Sequence, residues 1–593
     1  MKRFFTLSLI VFFGVLGMAQ TNSYRISFEN AQHHEGQVEI SFPEVKAPIF
    51  SVRMPNSSPG RYAFHSFAKN VYGFKATDGK GNPVTVFRPN PYQWDISGHD
   101  GTVNISYTLF ANRADGTYSQ IDETHAHLNM PASFMYAPDH KERPIEIEFD
   151  LREDLGWKVA TQLKRQKGNT YWAPNFYYFM DSPTEISNHS VRSFTLPSNG
   201  KDHEIRFALH HEGTETEFDQ FFENVKKIVI EQEKVFGELP DFDFGSYTFL
   251  GCYMPHVNGD GMEHRNSTIV TSKRSLADGG ITRNLGTVSH EFFHAWNVER
   301  LRPLSLEPFD FDHVDMSGEL WFAEGFTSYY TNLIICRAGI MEPEEFVGTF
   351  DGTFNYVWNS NGRKFSNPIE MSYQAPFVDA ATSLDPQNRG NTFISYYSYG
   401  AALGLALDLS LREKNLNLDD FFKKLWGQYG KKEIPYTIEN LHHALNAYAG
   451  NEFGTAFFEK YIYRSGMPDY KRLFASVGIA LEQNSERAYF GGYIEGNAIT
   501  DNTLIDRPAY NAGLAKGDRI LAVDGQPMDD ENTFEKLLGS KKPGDVLQLK
   551  FERHGKTRET QLELGKNPTY SISMDPDATA AQITHRKAWL GVE

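Results

Sequence analysis

Cysteine is almost missing from this chain: Cys252 and Cys336 are the only two in 593 residues. A chain of this length with two thiols is not held together by a disulfide framework. The pair is open between one bridge and two buried thiols. Long apolar runs are also missing beyond Met1–Ala19, so no later segment reads as a membrane span. Basic residues are outnumbered, 58 Lys and Arg against 76 Asp and Glu, for a formal net charge of -18. No basic stripe is available to neutralise phosphates, which argues against a nucleic-acid partner. There is no internal repeat and no low-complexity tract.

Hydrophobic residues make up 40% of the chain and aromatic residues 14%, the composition of a folded protein. At roughly 150 residues per domain, three or four units are expected. Met1–Ala19 reads as a signal peptide: Lys2 and Arg3 lead an apolar run from Phe4 to Leu16, and Gly17 and Ala19 supply small residues before the cut. A retained anchor fits less well, because the run is short for a span and Gly14 and Gly17 interrupt it. The chain is therefore expected to be exported, periplasmic or secreted, with no stable membrane span after signal removal.

From residue 20 to about 200 the pattern is β. Val38–Phe42, Val103–Tyr107 and Ile145–Phe149 alternate apolar and polar residues, and Asn56–Gly60, Asp78–Pro83 and Asp115–Gly116 carry turn chemistry. This predicts an N-terminal β-sandwich-like domain. His33–His34 and His125–Ala126–His127 have no third ligand at a recognisable spacing, so they read as surface or loop histidines.

The period then changes. Phe218–Phe236 reads as an amphipathic helix, Tyr247–Leu250 and Ser267–Thr271 as strands, and Asn258–His264 as a glycine-rich turn entering an edge strand that would bring Glu263 to a substrate. Asn284–Glu299 reads as a helix containing His290-Glu291-Phe292-Phe293-His294, that is H-E-x-x-H. On a helix the two histidines lie one turn apart and face the same way, as two ligands of one Zn²⁺ must. The intervening Glu291 is placed to act as general base toward a zinc-activated water.

Zinc of this kind needs a third protein ligand and an open fourth position. Glu324 lies on a second predicted helix, Glu319–Ala338, among Trp321, Phe322, Phe326, Tyr329 and Tyr330. A carboxylate in such surroundings is costly unless a cation satisfies it. His290, His294 and Glu324 thus form a candidate His₂Glu metal set for one zinc per chain. Asn297, Glu299 and Glu319 are candidate acceptors for the other ring nitrogens. Helices are expected over Tyr396–Lys414, Leu418–Tyr429, Thr437–Ala449 and Glu452–Ile462, with a polar excursion over Asn361–Gly390.

Pro508–Gly525 resembles the core signature of PDZ domains, with a helix ending at Gly513, the Gly517-Asp518 turn and the Asp524-Gly525 hairpin. Tyr489–Tyr493 would be the carboxylate-binding loop, although it departs from the usual Gly-Leu-Gly-Phe. Trp589 and Leu590 suggest that the tail docks on the body.

Taken together, H-E-F-F-H-A-W-N, the later W-F-A-E-G-F and the upstream G-M-E-H resemble the glycyl aminopeptidase family of zinc metallopeptidases. The resemblance implies an α+β chain with a thermolysin-like catalytic domain. Its divisions would be signal peptide 1–19, β domain 20–200, catalytic domain with a helical part 201–480, PDZ domain 481–566 and tail 567–593. It implies that Glu263, within Gly261-Met262-Glu263, holds a substrate's free α-amine; His264 replaces the Asn of the related alanyl-type motif. It also implies that Tyr397, in Tyr396-Tyr397-Ser398-Tyr399-Gly400, steadies the oxyanion, with Tyr396 and Tyr399 as rivals. The expected activity is removal of small N-terminal residues such as Gly or Ala from peptides, with a peptide C-terminus as a possible PDZ partner. The alternatives are a zinc endopeptidase with PDZ-guided capture, or a PDZ peptide-binding protein with a vestigial hydrolase body.

Overall fold

A computed structural model describes residues 20–378 and 387–592. The signal-peptide reading of Met1–Ala19 lies outside these residues, as does part of the 361–390 excursion. None of the described helices is long and apolar enough to cross a membrane.

The alternating N-terminal segments are strands. Asn22–Ser27, Glu35–Phe42, Val103–Phe110 and Ile145–Asp150 lie in one seven-stranded sheet, and their inward residues, among them Ile26, Val38, Ile40, Ile105 and Ile147, are buried. Three- and four-stranded sheets accompany it around a shared core. The second strand of the four-stranded sheet, His125–Leu128, pairs with Thr184–Ser187, which puts His127 directly across from Glu185.

The half that carries the H-E-x-x-H segment begins with a five-stranded sheet in the order Ser190–Ser198, Lys201–His211, Ser246–Tyr253, Ser267–Ser272, Asp260–His264. The last of these runs antiparallel at the edge, Met262 opposite Ile269 and Glu263 opposite Thr268. Helix Glu215–Phe236 starts at a capping box between Thr214 and Glu217 and stops at Gly237 in left-handed conformation. Its apolar face buries Phe218, Phe221, Phe222, Val225 and Ile228. Phe236 at its end stacks on Trp296 with ring centroids 4.7 Å apart. Burying one such ring contributes about 1.5–3 kcal/mol, so the helix is fixed beside the histidine-bearing segment.

Two helices depart from their expected lengths. The histidine-bearing helix is Leu285–Phe293 rather than 284–299; His294 caps it with right-handed helical angles, and the chain continues through turns. The single helix expected over 319–338 is two, Leu320–Ala323 and Gly325–Arg337, broken at Glu324. The remaining expected helices form, and Tyr396–Arg412 crosses the Gly325–Arg337 helix.

The PDZ region packs its own core, including Phe490, Ile499, Ile520, Phe534, Leu549 and Leu562. Ile479–Gln483 before it pairs antiparallel with Tyr570–Met574 after it. The tail helix Ala580–Leu590 then docks on the body: the Trp589 ring is fully buried and its indole N–H donates to the Tyr329 hydroxyl at 2.8 Å. Cys252 and Cys336 are separate buried thiols.

Candidate active site

One helical turn brings His290 and His294 together, and Glu324, at the junction of Leu320–Ala323 and Gly325–Arg337, presents its carboxylate to them. Glu324 Oε2 lies 3.5 Å from His290 Nε2 and 3.3 Å from His294 Nε2. Ligands at about 2.0–2.2 Å from a tetrahedral ion stand roughly 3.4 Å from one another. Two imidazole nitrogens and one carboxylate oxygen at this separation are a donor set that zinc fits. The opposite ring nitrogens are already engaged: His290 Nδ1 with the Thr331 hydroxyl at 3.1 Å, and His294 Nδ1 with the backbone carbonyl of Asn297. That orients both Nε2 lone pairs toward the shared centre.

The expected partners of the histidines need correction. Asn297 serves through its backbone, while its side chain donates to the Ala323 carbonyl and Thr327 hydroxyl, both at 3.1 Å. This contact holds the two helical segments together and explains why the chain turns after His294. Glu319 instead accepts from Ser317 and Ser305. Glu299 lines a different cleft, of about 480 Å³, with Arg300 and Arg302. Thr331, seven residues beyond Glu324, is the acceptor that was missed.

Glu291 and Glu263 join the centre from two sides. Carboxylate oxygens of both lie within 4.8 Å of each other and of a His294 ring nitrogen. Burial, with Glu263 and Glu324 nearby, pushes the Glu291 carboxyl well above the usual range; His294 opposes this. Glu263 is likewise pushed up, chiefly by burial. For Glu324, burial acts upward, but His294 and His290 overcome it and hold the carboxyl low. His294, which burial alone would lower, is raised to about 10 by Glu324, Glu263 and Glu291. Three buried carboxylates around two imidazoles make a centre that calls for a cation.

Glycines set the close approaches. A Cβ on Gly261 would collide with the Glu291 carboxylate. Gly261 therefore lets the edge strand lie directly against the general-base candidate. Met262 faces inward and is buried. His264, at the position where the related motif carries Asn, pairs its Nδ1 with Asp181 Oδ1 at 2.8 Å. Beside Glu291 and His290 opens a cleft of about 440 Å³ lined also by Gly259, Arg274, Arg283 and Thr331.

The N-terminal domain reaches into the site. Tyr62 is buried and donates to Glu324 Oε1 at 3.2 Å across 262 residues of sequence. Arg61 is paired with Asp260 and donates to the Gly261 carbonyl at 3.0 Å. A Cβ on Gly60 would stand 3.0 Å from a Glu263 carboxylate oxygen, so this loop lies directly against the strand. In the sequence only Gly60 of these residues stood out, as the end of the Asn56–Gly60 turn.

Of the three tyrosines, Tyr397 is half-buried and its ring lies 6.1 Å from that of His290. Tyr396 is buried edge-on to Tyr62. Tyr399 is buried beside Arg363, on another side.

Comparison with known proteins bears on this arrangement. The Peptidase M61 N-terminal domain matches residues 23–188, and the M61 glycyl aminopeptidase domain matches residues 283–403. The chain belongs to the M61 glycyl aminopeptidase family. A PDZ domain matches residues 476–564 of this M61 chain. An aminopeptidase N family protein from Idiomarina loihiensis shares the fold, with 24% identity and a TM-score of 0.83 over 96% of this chain and 100% of that one. An M1 zinc metallopeptidase from Deinococcus radiodurans aligns at 12% identity and TM-score 0.42, over 74% of this chain and 92% of that one. Among curated proteins, a probable periplasmic serine endoprotease DegP-like from Halomonas elongata is 38% identical over 63 residues. The alignment spans 11% of this chain and 13% of that relative.

Proposed function

We propose that this M61 chain is an exported zinc aminopeptidase that hydrolyses the first peptide bond of substrates with a free N-terminus. The observation that carries the reading is the place of Glu263, a buried carboxylate grouped with His294 of the donor set and with Glu291, and close to Gly60 of the N-terminal domain. An ammonium group seeks such a carboxylate, and a substrate held there by its terminal amine offers its first peptide bond to the centre.

Bound by His290, His294 and Glu324, zinc supplies Lewis acidity toward the attacking water and the scissile carbonyl. Glu291 accepts the proton of that water and delivers it to the leaving amine. Its carboxylate lies beside His294, within reach of the centre for both halves of the transfer. We assign the developing oxyanion to the Tyr397 hydroxyl by the family resemblance, supported by its ring lying 6.1 Å from that of His290. Tyr62 and Thr331 hold Glu324 and His290 in orientation. We assign the rest of the peptide to the cleft toward Arg274 and Arg283, which opens beside His290 and Glu291.

The preference for Gly or Ala is carried by the family resemblance. Export rests on Met1–Ala19, and capture of peptide C-termini rests on the PDZ domain. The test is a panel of aminoacyl amides with and without an N-acetyl cap, with Glu291→Ala as control. Cleavage of free-amine substrates that stops on acetylation or in Glu291→Ala is expected. Equal cleavage of capped and free substrates would replace this reading with endopeptidase activity.

A further inference from the structure

His125 and His127, read from sequence as surface or loop residues, are both buried. They sit at the junction between the N-terminal domain and the catalytic sheet. Their pairing with Glu185 follows from strand register. Glu185 Oε1 is 3.2 Å from His125 Nδ1, and Glu185 Oε2 is 3.1 Å from His127 Nδ1. With Nδ1 of His125 turned to Glu185, its Nε2 points the other way, into a space shared with Asp122 and His256. That Nε2 is buried and has no hydrogen-bond partner. A buried ring nitrogen without a partner is costly, and it points to a ligand.

The spacing names the ligand class. Asp122 Oδ2 is 3.7 Å from His125 Nε2 and 3.6 Å from His256 Nε2. Both are too long for hydrogen bonds. They are close to the 3.3 and 3.5 Å that separate Glu324 from the catalytic histidines. All three donor atoms lie within 4.8 Å of one another. Asp122 is held in place because its Oδ1 accepts from the Thr124 and His125 backbone N–H groups, and its Oδ2 from Gln120. His125 repeats the carboxylate–histidine–metal arrangement, with Glu185 behind it. His256 has 39% of its side chain exposed, which gives an ion a path in and leaves a position open to water.

We infer that Asp122, His125 and His256 bind a second divalent transition-metal ion, Zn²⁺ by donor chemistry, distinct from the catalytic one. Two imidazoles and one carboxylate suit zinc. Asp122 and His125 belong to the N-terminal domain, whereas His256 lies in the loop between strands Ser246–Tyr253 and Asp260–His264. The ion would join the two domains four residues before Asp260, where the substrate-facing strand begins. Its role is to hold that strand, and with it Glu263, at a fixed distance from the N-terminal loop bearing Gly60–Tyr62. A rival donor set lies on the other side of the His125 ring. There Cys252 Sγ is 3.8 Å from His125 Nδ1 and 3.6 Å from His210 Nδ1. Because His125 Nδ1 is engaged by Glu185, the Nε2 side is favoured.

The test is the metal content of the full chain, stripped and then equilibrated at one buffered free Zn²⁺ concentration, measured by elemental analysis. Wild type is expected to hold two zinc ions. His294→Ala should keep one, and His256→Ala and the conservative Asp122→Asn should each keep one. In the His294→Ala background, Co²⁺ should give visible bands that disappear on adding His256→Ala. Equal zinc in wild type and His256→Ala would overturn the proposal. So would loss of an ion in Cys252→Ser with retention in His256→Ala, which would move the site to the buried cysteine side. Circular dichroism and melting of His256→Ala, a partly exposed position, separate a lost ligand from a lost fold.

Discussion

Gly325 and Gly400 touch through their backbones, so that a Cβ on Gly325 would overlap Gly400 Cα, and one on Gly400 would overlap the Trp321 carbonyl. The contact lets the Tyr396–Arg412 helix lie directly on the residue that follows Glu324. It thereby fixes the distance between Glu324 and the tyrosines.

Gly400→Ala should force these helices apart. The expected cost is about 1–3 kcal/mol of overpacking, seen as a lower melting temperature. Zinc affinity should also fall, by roughly 10-fold or more, as Glu324 shifts. Competition with a chelator measures the second effect; unchanged affinity would show that the crossing does not position the ligand.

Tyr62→Phe removes only the hydroxyl that donates to Glu324. Zinc affinity or kcat should drop by roughly 10–100-fold, the usual effect of losing a group that orients a ligand. The fold should be retained, because the ring stays packed. A variant with wild-type metal affinity and turnover would remove Tyr62 from the site's machinery.

Glu263→Gln keeps shape and loses charge. If the carboxylate holds the substrate ammonium, kcat/KM on free-amine dipeptides should fall by about 2–5 kcal/mol, roughly 30-fold or more. Zinc content should stay unchanged. Activity that survives the substitution would place amine recognition elsewhere.

Acid should weaken the N-terminal half. Burial, with Arg61 and Lys69 adding to it, lowers His65 to about 4; burial, with Lys158 adding to it, lowers His189 to about 4. In the unfolded chain each takes up a proton near its ordinary value of 6.5. Between pH 6.5 and 4 the unfolded state therefore binds more protons, and stability falls as pH falls through that window. Above it the stability is fully present. The loss is on the order of 3 kcal/mol per histidine at the acid end. His189→Gln should flatten the melting temperature against pH over this range. An unaltered slope would mean that His189 does not contribute.

What the sequence disclosed follows from distance along the chain. His290, Glu291 and His294 are spaced by the helix itself, and Glu324 stood out as a carboxylate among aromatics. The strands of the N-terminal domain were legible because one face of each is buried. Tyr62, Arg61 and Gly60 were not, because they reach the site only after two domains meet. His125, His127 and Glu185 are joined by strand register rather than by any local spacing. The early end of the histidine helix carried no glycine or proline; it is set by the turn that lets His294 meet the Asn297 carbonyl. The break at Glu324 is likewise tertiary, fixed where two glycines let helices cross.

The strand Ile479–Gln483 leads into the PDZ region and Tyr570–Met574 leads out, and Asn484 donates its backbone N–H to the Thr569 carbonyl at 2.8 Å. Entry and exit thus stand side by side on the hydrolase body, which makes the region a cassette rather than a pendant. It could be lifted out and the two strands rejoined by a tight turn, with the C-terminal helix and its Trp589 anchor left in place. The PDZ module can be inserted, exchanged or deleted by the same route without disturbing the cluster of His290, His294 and Glu324.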